Sequence, residues 1–108
     1  MRPEKPFTVG RPRTRIKVCG LTREQDVDAA VDAGVDAVGF VLYEKSPRFV
    51  SAKRAATLAR RLPPWVTPVL LFVNAEHSKI IAARDHFTLG MIQFHGDESP
   101  GECLTVAR

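Results

Sequence analysis

The residues of this sequence that could carry out chemistry include a thiol at the end of a predicted strand. Cys19 ends an apolar segment and lies just before the predicted N-terminus of a helix. The positive end of a helix dipole favours the thiolate, which can act as a nucleophile or a general base. A small buried apolar side chain is the alternative role for Cys19, and the spacing alone favours that second interpretation.

Cations and an imidazole follow other predicted strands. Lys45 and Arg48 lie in a polar loop, where they could bind a carboxylate or a phosphate, or simply be solvated. His95 could serve as an acid, a base or a hydrogen-bond donor, and a structural histidine is the alternative. Asp97 and Glu98 are interpreted as caps of the helix that follows them.

Alternating strand and helix patterns must position these side chains. Strands are predicted to start near residues 16, 36, 66 and 90, with helices over 23–33, 51–62, roughly 76–86 and from 98 onward. In the first helix, Thr22 and Gln25 fit a capping box and Gly34 is the expected end. Ser51 is the expected cap of the second helix.

This βαβαβαβ(α) order implies a parallel sheet with helical crossovers, an α/β fold. Either a small open doubly wound sheet or part of a (βα)8 TIM barrel fits it. A complete barrel needs about 200 residues or more, so these 108 residues could supply only the first four βα units, a half barrel. In both architectures the carboxyl ends of the strands form the functional edge. The polar residues collected there are Cys19, Lys45, Ser46, Arg48, Asn74, Gln93, His95 and Asp97.

The formal net charge of +4 is concentrated at the N-terminus. Residues 1–17 hold six basic side chains and one acidic side chain, whereas the remainder holds 10 basic and 11 acidic side chains. We expect residues 1–14 to form a flexible basic arm, because prolines, a glycine and scattered charges occur there without an apolar pattern. A nearly neutral body argues against nucleic-acid binding.

The sequence also limits the compartment and the cofactors. Two distant cysteines, Cys19 and Cys103, are fewer than a small secreted domain usually carries. The first ten residues hold no signal-peptide core, and the longest apolar run, over 69–73, is too short to span a membrane. We therefore expect a cytoplasmic protein. No dinucleotide, P-loop or Cys-x-x-Cys motif is present, so neither a metal nor a cofactor is expected.

Four segments of the sequence, taken in order, resemble segments of a known enzyme family. The first is IKVCGLT over residues 16–22, which resembles the opening strand of that family. The others are DAVGFVLY (36–43) leading into KSPR (45–48), LPPWV (62–66) leading to LFVN (71–74), and QFHGDE (93–98). Together these segments resemble the phosphoribosylanthranilate isomerase family of tryptophan biosynthesis. Four matches in the right order and spacing are specific, and the resemblance covers roughly residues 15–103.

The resemblance implies a (βα)8 barrel and an Amadori rearrangement. N-(5-phosphoribosyl)anthranilate becomes 1-(2-carboxyphenylamino)-1-deoxyribulose 5-phosphate, and Cys19 is implied to be the general base that removes the C2 proton of the iminium. Arg48 is implied to lie near the anthranilate carboxylate, His95 at the pocket wall, and Gln93 among the substrate-binding residues. No cofactor is needed, because the iminium itself acidifies that C–H bond.

Residues 15–108 would then form the amino-terminal half of the isomerase domain. In the family, an aspartate at the end of the fifth strand is the general acid, and glycine-rich turns after the seventh and eighth strands hold the phosphate. We expect little turnover from this chain without those elements. The open edges of its first and fourth strands predict pairing with a complementary C-terminal half, or self-association.

Three other interpretations stay open at this point. The chain could be a truncated, catalytically inactive fragment of that enzyme. It could be a nucleic-acid-binding module, although Phe7 is the arm's one aromatic residue. It could also be another half barrel or a flavodoxin-like phosphate binder, although no glycine-rich phosphate loop follows the first strand.

Overall fold

Strands and helices alternate along residues 12–107, the part of the chain that the computed structural model describes. The strands are β1 (Lys17–Cys19), β2 (Ala37–Val41), β3 (Thr67–Phe72) and β4 (Met91–Phe94). The helices are α1 (Glu24–Asp32), α2 (Ala52–Ala59), α3 (His77–Arg84) and α4 (Pro100–Ala107). The predicted order of elements is therefore confirmed.

The strands follow one another in the sheet in the order in which they occur in the sequence. All pairs are parallel and the order is β1-β2-β3-β4. A doubly wound sheet reverses its strand order at a switch point, whereas a (βα)8 barrel adds each strand beside the last. The four βα units have the barrel arrangement, and the open doubly wound alternative is wrong.

One face of the sheet packs against the helices. Val38, Phe40, Leu70 and Phe72 are at most 1% exposed and belong to a core that includes helix residues Val27, Ala55, Leu58 and Ile80. The nearly continuous apolar run of β2 is typical of a strand buried on both faces, and Gly39 and Val41 on its opposite face are buried as well. This core sets the orientation of the sheet, because side chains alternate between its two faces.

The other face of the sheet carries the predicted site. Cys19 pairs with Gly39 across β1 and β2, and Leu71 of β3 pairs with both Val41 and Gln93. Residues paired across neighbouring strands point to the same face. Val41 and Leu71 are buried without belonging to the helix-side core, so the apolar lining of this face is formed by the strands themselves.

The start of α1 differs from the sequence prediction. Arg23 occupies the N-cap position and makes no side-chain capping hydrogen bond, so the predicted capping box of Thr22 and Gln25 is wrong. The helix begins one residue later, where the Arg23 carbonyl accepts the N–H of Val27 at 3.1 Å. The Arg23 guanidinium also holds Asp26, with Nε donating to Oδ2 at 2.8 Å. An ion pair in the first turn replaces the predicted side-chain cap.

Two other helix ends are confirmed. Gly34 has a φ of +87° just after α1, where its N–H donates to the Val31 carbonyl at 3.0 Å. The next N–H, of Val35, donates to the Ala30 carbonyl at 3.4 Å, which completes a Schellman motif. At α2, Ser51 Oγ accepts the N–H of Arg54 at 3.0 Å.

The cap of α4 is not the predicted one. Ser99 Oγ accepts the N–H of Glu102 at 3.1 Å, and Glu102 Oε1 accepts the N–H of Ser99 at 3.2 Å. This reciprocal pair is a capping box, and Pro100 takes the first helical position. Asp97 and Glu98 therefore do not cap this helix, since both precede the residue that does.

The predicted arm lies mostly outside the described residues, which begin at residue 12. Where the described chain starts, Arg13 Nη1 donates to Asp36 Oδ2 at 3.0 Å, and the Ile16 N–H donates to the same oxygen at 2.8 Å. The hydrogen bond from Arg13, and then that from Ile16, lower the pKa of Asp36 to about 2. Among residues 12–107, no helix has both the length and the apolar character needed to cross a membrane.

Candidate functional site

Cys19 is the last residue of β1, at the carboxyl edge of the sheet. It is half-buried and its thiol is free. The N–H of Gly20 donates to the Gly39 carbonyl at 2.9 Å, which keeps the chain beside β2 as it leaves the strand. A Cβ at position 39 would lie 2.7 Å from Cys19 Sγ. The thiol thus occupies the space that a side chain of β2 would otherwise take.

Arg48 approaches Cys19 from the loop between β2 and α2. The loop turns where the Ser46 N–H donates to the Tyr43 carbonyl at 3.0 Å, and Ser46 Oγ accepts the Arg48 N–H at 3.1 Å. Arg48 Nη1 then donates to the Cys19 carbonyl at 3.1 Å. Gly20 has a φ of +87°, and a Cβ there would collide with the guanidinium. Glycine at this position lets Arg48 lie against the end of β1.

His95 and Arg48 line one cavity at this edge, with a volume of about 370 Å³. The His95 N–H donates to the Phe72 carbonyl at 2.9 Å, which continues the β3–β4 pairing by one residue. The other lining residues are Val41, Tyr43, Ser46, Leu71 and Val73. The volume falls within the range of about 300–1,000 Å³ that is usual for small-molecule sites.

The other two predicted site residues lie beside this cavity rather than in its lining. Cys19 is linked to the cavity through the hydrogen bond from Arg48. Gln93 is half-buried and pairs with Leu71, which lines the cavity. The structure therefore brings all four residues to one end and one face of the sheet, but only His95 and Arg48 share a cavity wall.

The Arg48 guanidinium takes part in none of the ion pairs between residues that the structure describes. Some surface cations are paired, as Lys79 is with Glu44 at 2.9 Å, whereas others such as Lys45, Lys53 and Arg60 also form no ion pair with the described residues. An exposed guanidinium without a carboxylate partner can bind a carboxylate in bidentate geometry. The arrangement can therefore hold an anionic group next to a thiol. No cluster of three metal-ligating side chains occurs within residues 12–107.

Glu98 is a functional candidate at this edge, and its predicted role as a helix cap is wrong. The Glu98 carboxylate accepts the N–H of Asn74 at 2.8 Å and the N–H of Gly96 at 2.7 Å. Burial by itself would raise the pKa of Glu98, but these backbone N–H groups, its own N–H and nearby His95 hold the pKa below its ordinary value. A carboxylate two residues after a glycine was the one local signal, and it is equally compatible with a helix cap.

A family model described as N-(5'-phosphoribosyl)anthranilate isomerase matches residues 16–108. The chain belongs to the phosphoribosylanthranilate isomerase family. A curated family member from Methylibium petroleiphilum is 67% identical over 96 residues, which are 89% of this chain and 45% of that protein. Another from Leptothrix cholodnii is 58% identical over 89% of this chain and 44% of that protein.

Solved structures of phosphoribosylanthranilate isomerases have the same arrangement. The Thermotoga maritima enzyme superposes with a TM-score of 0.84 at 40% identity, covering 88% of this chain and 46% of that one. The Thermus thermophilus enzyme has a TM-score of 0.83 at 32% identity, covering 88% and 48%. The chain spans about half the length of the curated relatives it matches. Its four βα units therefore correspond to one half of the family's barrel.

Proposed function

We propose that this chain provides the base-carrying half of a phosphoribosylanthranilate isomerase, with Cys19 as the general base. In the Amadori rearrangement, the ring oxygen of the ribose is protonated and the ring opens to an iminium. The thiolate of Cys19 then takes the C2 proton, and the electron pair of that C–H bond moves toward the iminium nitrogen. The observation that carries this role is the position of Cys19 at the carboxyl end of β1, beside Gly39 and Arg48.

The other roles follow from the chemistry of the substrate. Arg48 would bind the anthranilate carboxylate, since its guanidinium has no carboxylate partner among residues 12–107. His95 and Gln93 would contact the substrate from the carboxyl end of β4. A phosphoribosylanthranilate isomerase that is 40% identical to this chain was solved with reduced 1-(o-carboxyphenylamino)-1-deoxyribulose 5-phosphate, which has both a carboxylate and a phosphate. A cytoplasmic location fits the proposal, because a reducing compartment keeps the catalytic thiol free.

Turnover needs a general acid and a phosphate site in addition to Cys19. The expected acid follows a fifth strand, and the structure describes four strands within residues 12–107. We therefore propose that a complementary C-terminal half completes the barrel. β1 and β4 are the edge strands of the sheet, and apolar side chains near these edges are 53–61% exposed (Ile16, Met91 and Leu104). Without that partner, the same edges favour self-association.

Complementation of a tryptophan auxotroph that lacks the isomerase tests this function. Residues 1–108 alone should support no growth, whereas co-expression with the C-terminal half of the Methylibium petroleiphilum relative should restore it. Cys19→Ala should abolish that growth, because no other group takes the C2 proton. Cys103→Ala, which removes the other half-buried thiol, should leave it intact. Growth with Cys19→Ala equal to the parent would overturn the assignment of the base.

Sedimentation tests the proposed partner. The chain alone should form dimers or larger species at high concentration, and the complementary half should convert them into a one-to-one complex. A sharp monomer that ignores the complementary half would contradict the pairing of edges. An inactive fragment is the remaining alternative, and it would form the one-to-one complex without supporting growth.

A further inference from the structure

The loops that follow β3 and β4 are joined by a ring of hydrogen bonds centred on Glu98. Its Oε2 accepts the N–H of Asn74 and its Oε1 accepts the N–H of Gly96, at 2.8 Å and 2.7 Å. In return, Asn74 Oδ1 accepts the N–H of Asp97 at 2.8 Å. Glu98 and Asn74 are 24 residues apart in the sequence, so the ring ties two separate βα loops together. We call these three residues, Asn74, Gly96 and Glu98, the loop clamp.

The residue types of the loop clamp match its geometry. Asn74 has a φ of +50°, a left-handed conformation that asparagine adopts more readily than most residues. A Cβ at Gly96 would lie 2.6 Å from Asn74 Oδ1 and 2.9 Å from the Asn74 backbone nitrogen. The backbone nitrogen cannot move aside without breaking its bond to Glu98. Each member of the clamp therefore has a physical reason for its identity.

Glu98 is available for this task because α4 is capped by other residues. Ser99 and Glu102 form the capping box of that helix, so the Glu98 carboxylate serves no helix end. Both of its oxygens accept backbone N–H groups, an arrangement that favours the charged form. The low pKa of Glu98 agrees with a carboxylate that stays ionised in the clamp.

The loop clamp fixes the backbone of the segment that carries His95. The His95 N–H donates to the Phe72 carbonyl at 2.9 Å, and the next two N–H groups, of Gly96 and Asp97, donate to Glu98 and Asn74. Three consecutive backbone donors thus fix the segment that carries the imidazole. His95 in turn lines the cavity that also contains Arg48.

We propose that Glu98 is a positioning residue for His95, holding the imidazole at the wall of the substrate cavity by tying the β4–α4 loop to the β3–α3 loop. The effect on substrate rests on the proposed function of that cavity. The effect on the position of the imidazole does not rest on that function, because it depends only on contacts within residues 12–107.

The NMR spectrum of the full 108-residue chain tests the positioning directly. In Glu98→Gln, only one side-chain oxygen can accept an N–H, so one of the two bonds to Asn74 and Gly96 is lost. The amide proton of Asn74 or Gly96 should shift upfield, and the ring signals of His95 should shift at constant pH. Glu102→Gln is the matched control, because it removes the same charge four residues away and should leave the His95 ring signals in place.

A second variant reaches the same loops by a different route. Asn74→Gly keeps the left-handed backbone accessible but removes the oxygen that accepts the Asp97 N–H. It should also shift the His95 ring signals, whether or not Glu98→Gln lowers the stability of the chain. If the His95 signals are the same in the parent, Glu98→Gln and Asn74→Gly, the positioning role is overturned.

Kinetics of the complemented enzyme test the consequence for substrate. Glu98→Gln should raise KM by about 10-fold or more while kcat changes little. A misplaced residue of the cavity wall weakens substrate binding more than it slows the transfer of the C2 proton to Cys19. In a His95→Asn background, Glu98→Gln should have no further effect on KM, since Glu98 acts through His95. An undiminished effect of Glu98→Gln in that background would overturn the proposal. Activity that survives Cys19→Ala would instead count against the proposed function and leave the NMR result to decide the positioning.

Discussion

The substitution Gly39→Ala tests most directly whether the position of the Cys19 thiol depends on the absence of a side chain at this position of β2. A Cβ at position 39 would lie 2.7 Å from Sγ, and 3.3 Å from both Cα and Cβ of Cys19. Favourable separations between carbon atoms are about 3.5–4.0 Å, so the contact with Sγ is about 1 Å too close. The thiol can rotate away, but the Cα of Cys19 can move only with β1.

Two opposing energies follow from Gly39→Ala. Overpacking in a well-packed region costs about 1–3 kcal/mol, and rotation of the thiol keeps the cost near the lower end. Replacing a strand glycine also gains about 0.5–1 kcal/mol, because the unfolded chain loses freedom. We therefore expect the unfolding free energy to fall by between about 0 and 2 kcal/mol. The larger effect is displacement of the thiol from its place beside β2.

The assay combines urea unfolding with the rate at which a disulfide reagent modifies Cys19, both in a Cys103→Ser background. Gly39→Ala should change the modification rate and lower the unfolding free energy. Gly101→Ala is the matched control, because its Cβ would meet nothing closer than Ser99 Oγ at 3.8 Å. It should raise stability by about 0.5–1 kcal/mol and leave the thiol unaffected. A Gly39→Ala chain with the modification rate and stability of its parent would refute the reasoning.

Three further changes test the fold. The pKa of Asp36 is lowered from 3.8 to about 2, chiefly by Arg13, so its contribution to stability is present above 3.8 and is lost as the pH falls toward 2. Asp36→Asn should reduce the acid-side decline of urea midpoints measured between pH 2 and 7, leaving the part contributed by the other carboxylates whose pKa is lowered; an unchanged decline would contradict it. Phe72→Ala should cost about 3–5 kcal/mol in urea unfolding, because Phe72 is fully buried; a loss below about 1 kcal/mol would contradict the core assignment. Gly34→Ala should cost about 1–2 kcal/mol in thermal unfolding from its φ of +87° alone, as no atom lies within 4 Å of the added Cβ; a rise in Tm would contradict that strain.

Helix ends illustrate how far local patterns reach. Ser51 and Gly34 were predicted correctly, because each acts on backbone groups within a few residues of itself. The capping box of Thr22 fits the same local rule, yet Arg23 takes the cap position and pairs with Asp26. Two local solutions compete there, and the sequence pattern does not rank them.

Glu98 shows the limit of such patterns more clearly. A carboxylate just before a helix is a typical cap, and its hydrogen bonds are instead made to Gly96 and to Asn74, 24 residues earlier. Whether Glu98 caps α4 or bonds to Asn74 depends on where the β3–α3 loop lies, and the pairing of β3 with β4 brings that loop close.

The sequence by itself determined the alternation of strands and helices and the placement of Cys19 at the end of β1, because these depend on residue spacing within each element. It also indicated the family, through the resemblance of four segments in order. The tertiary structure decided which units are neighbours and which side chains meet. Arg48 contacts the Cys19 carbonyl across 29 residues, and this contact requires β1 and β2 to pair and glycine to leave room at position 20. Such contacts exist only once the strands have paired and the sheet has packed against its helices, because residues far apart in the sequence meet only then.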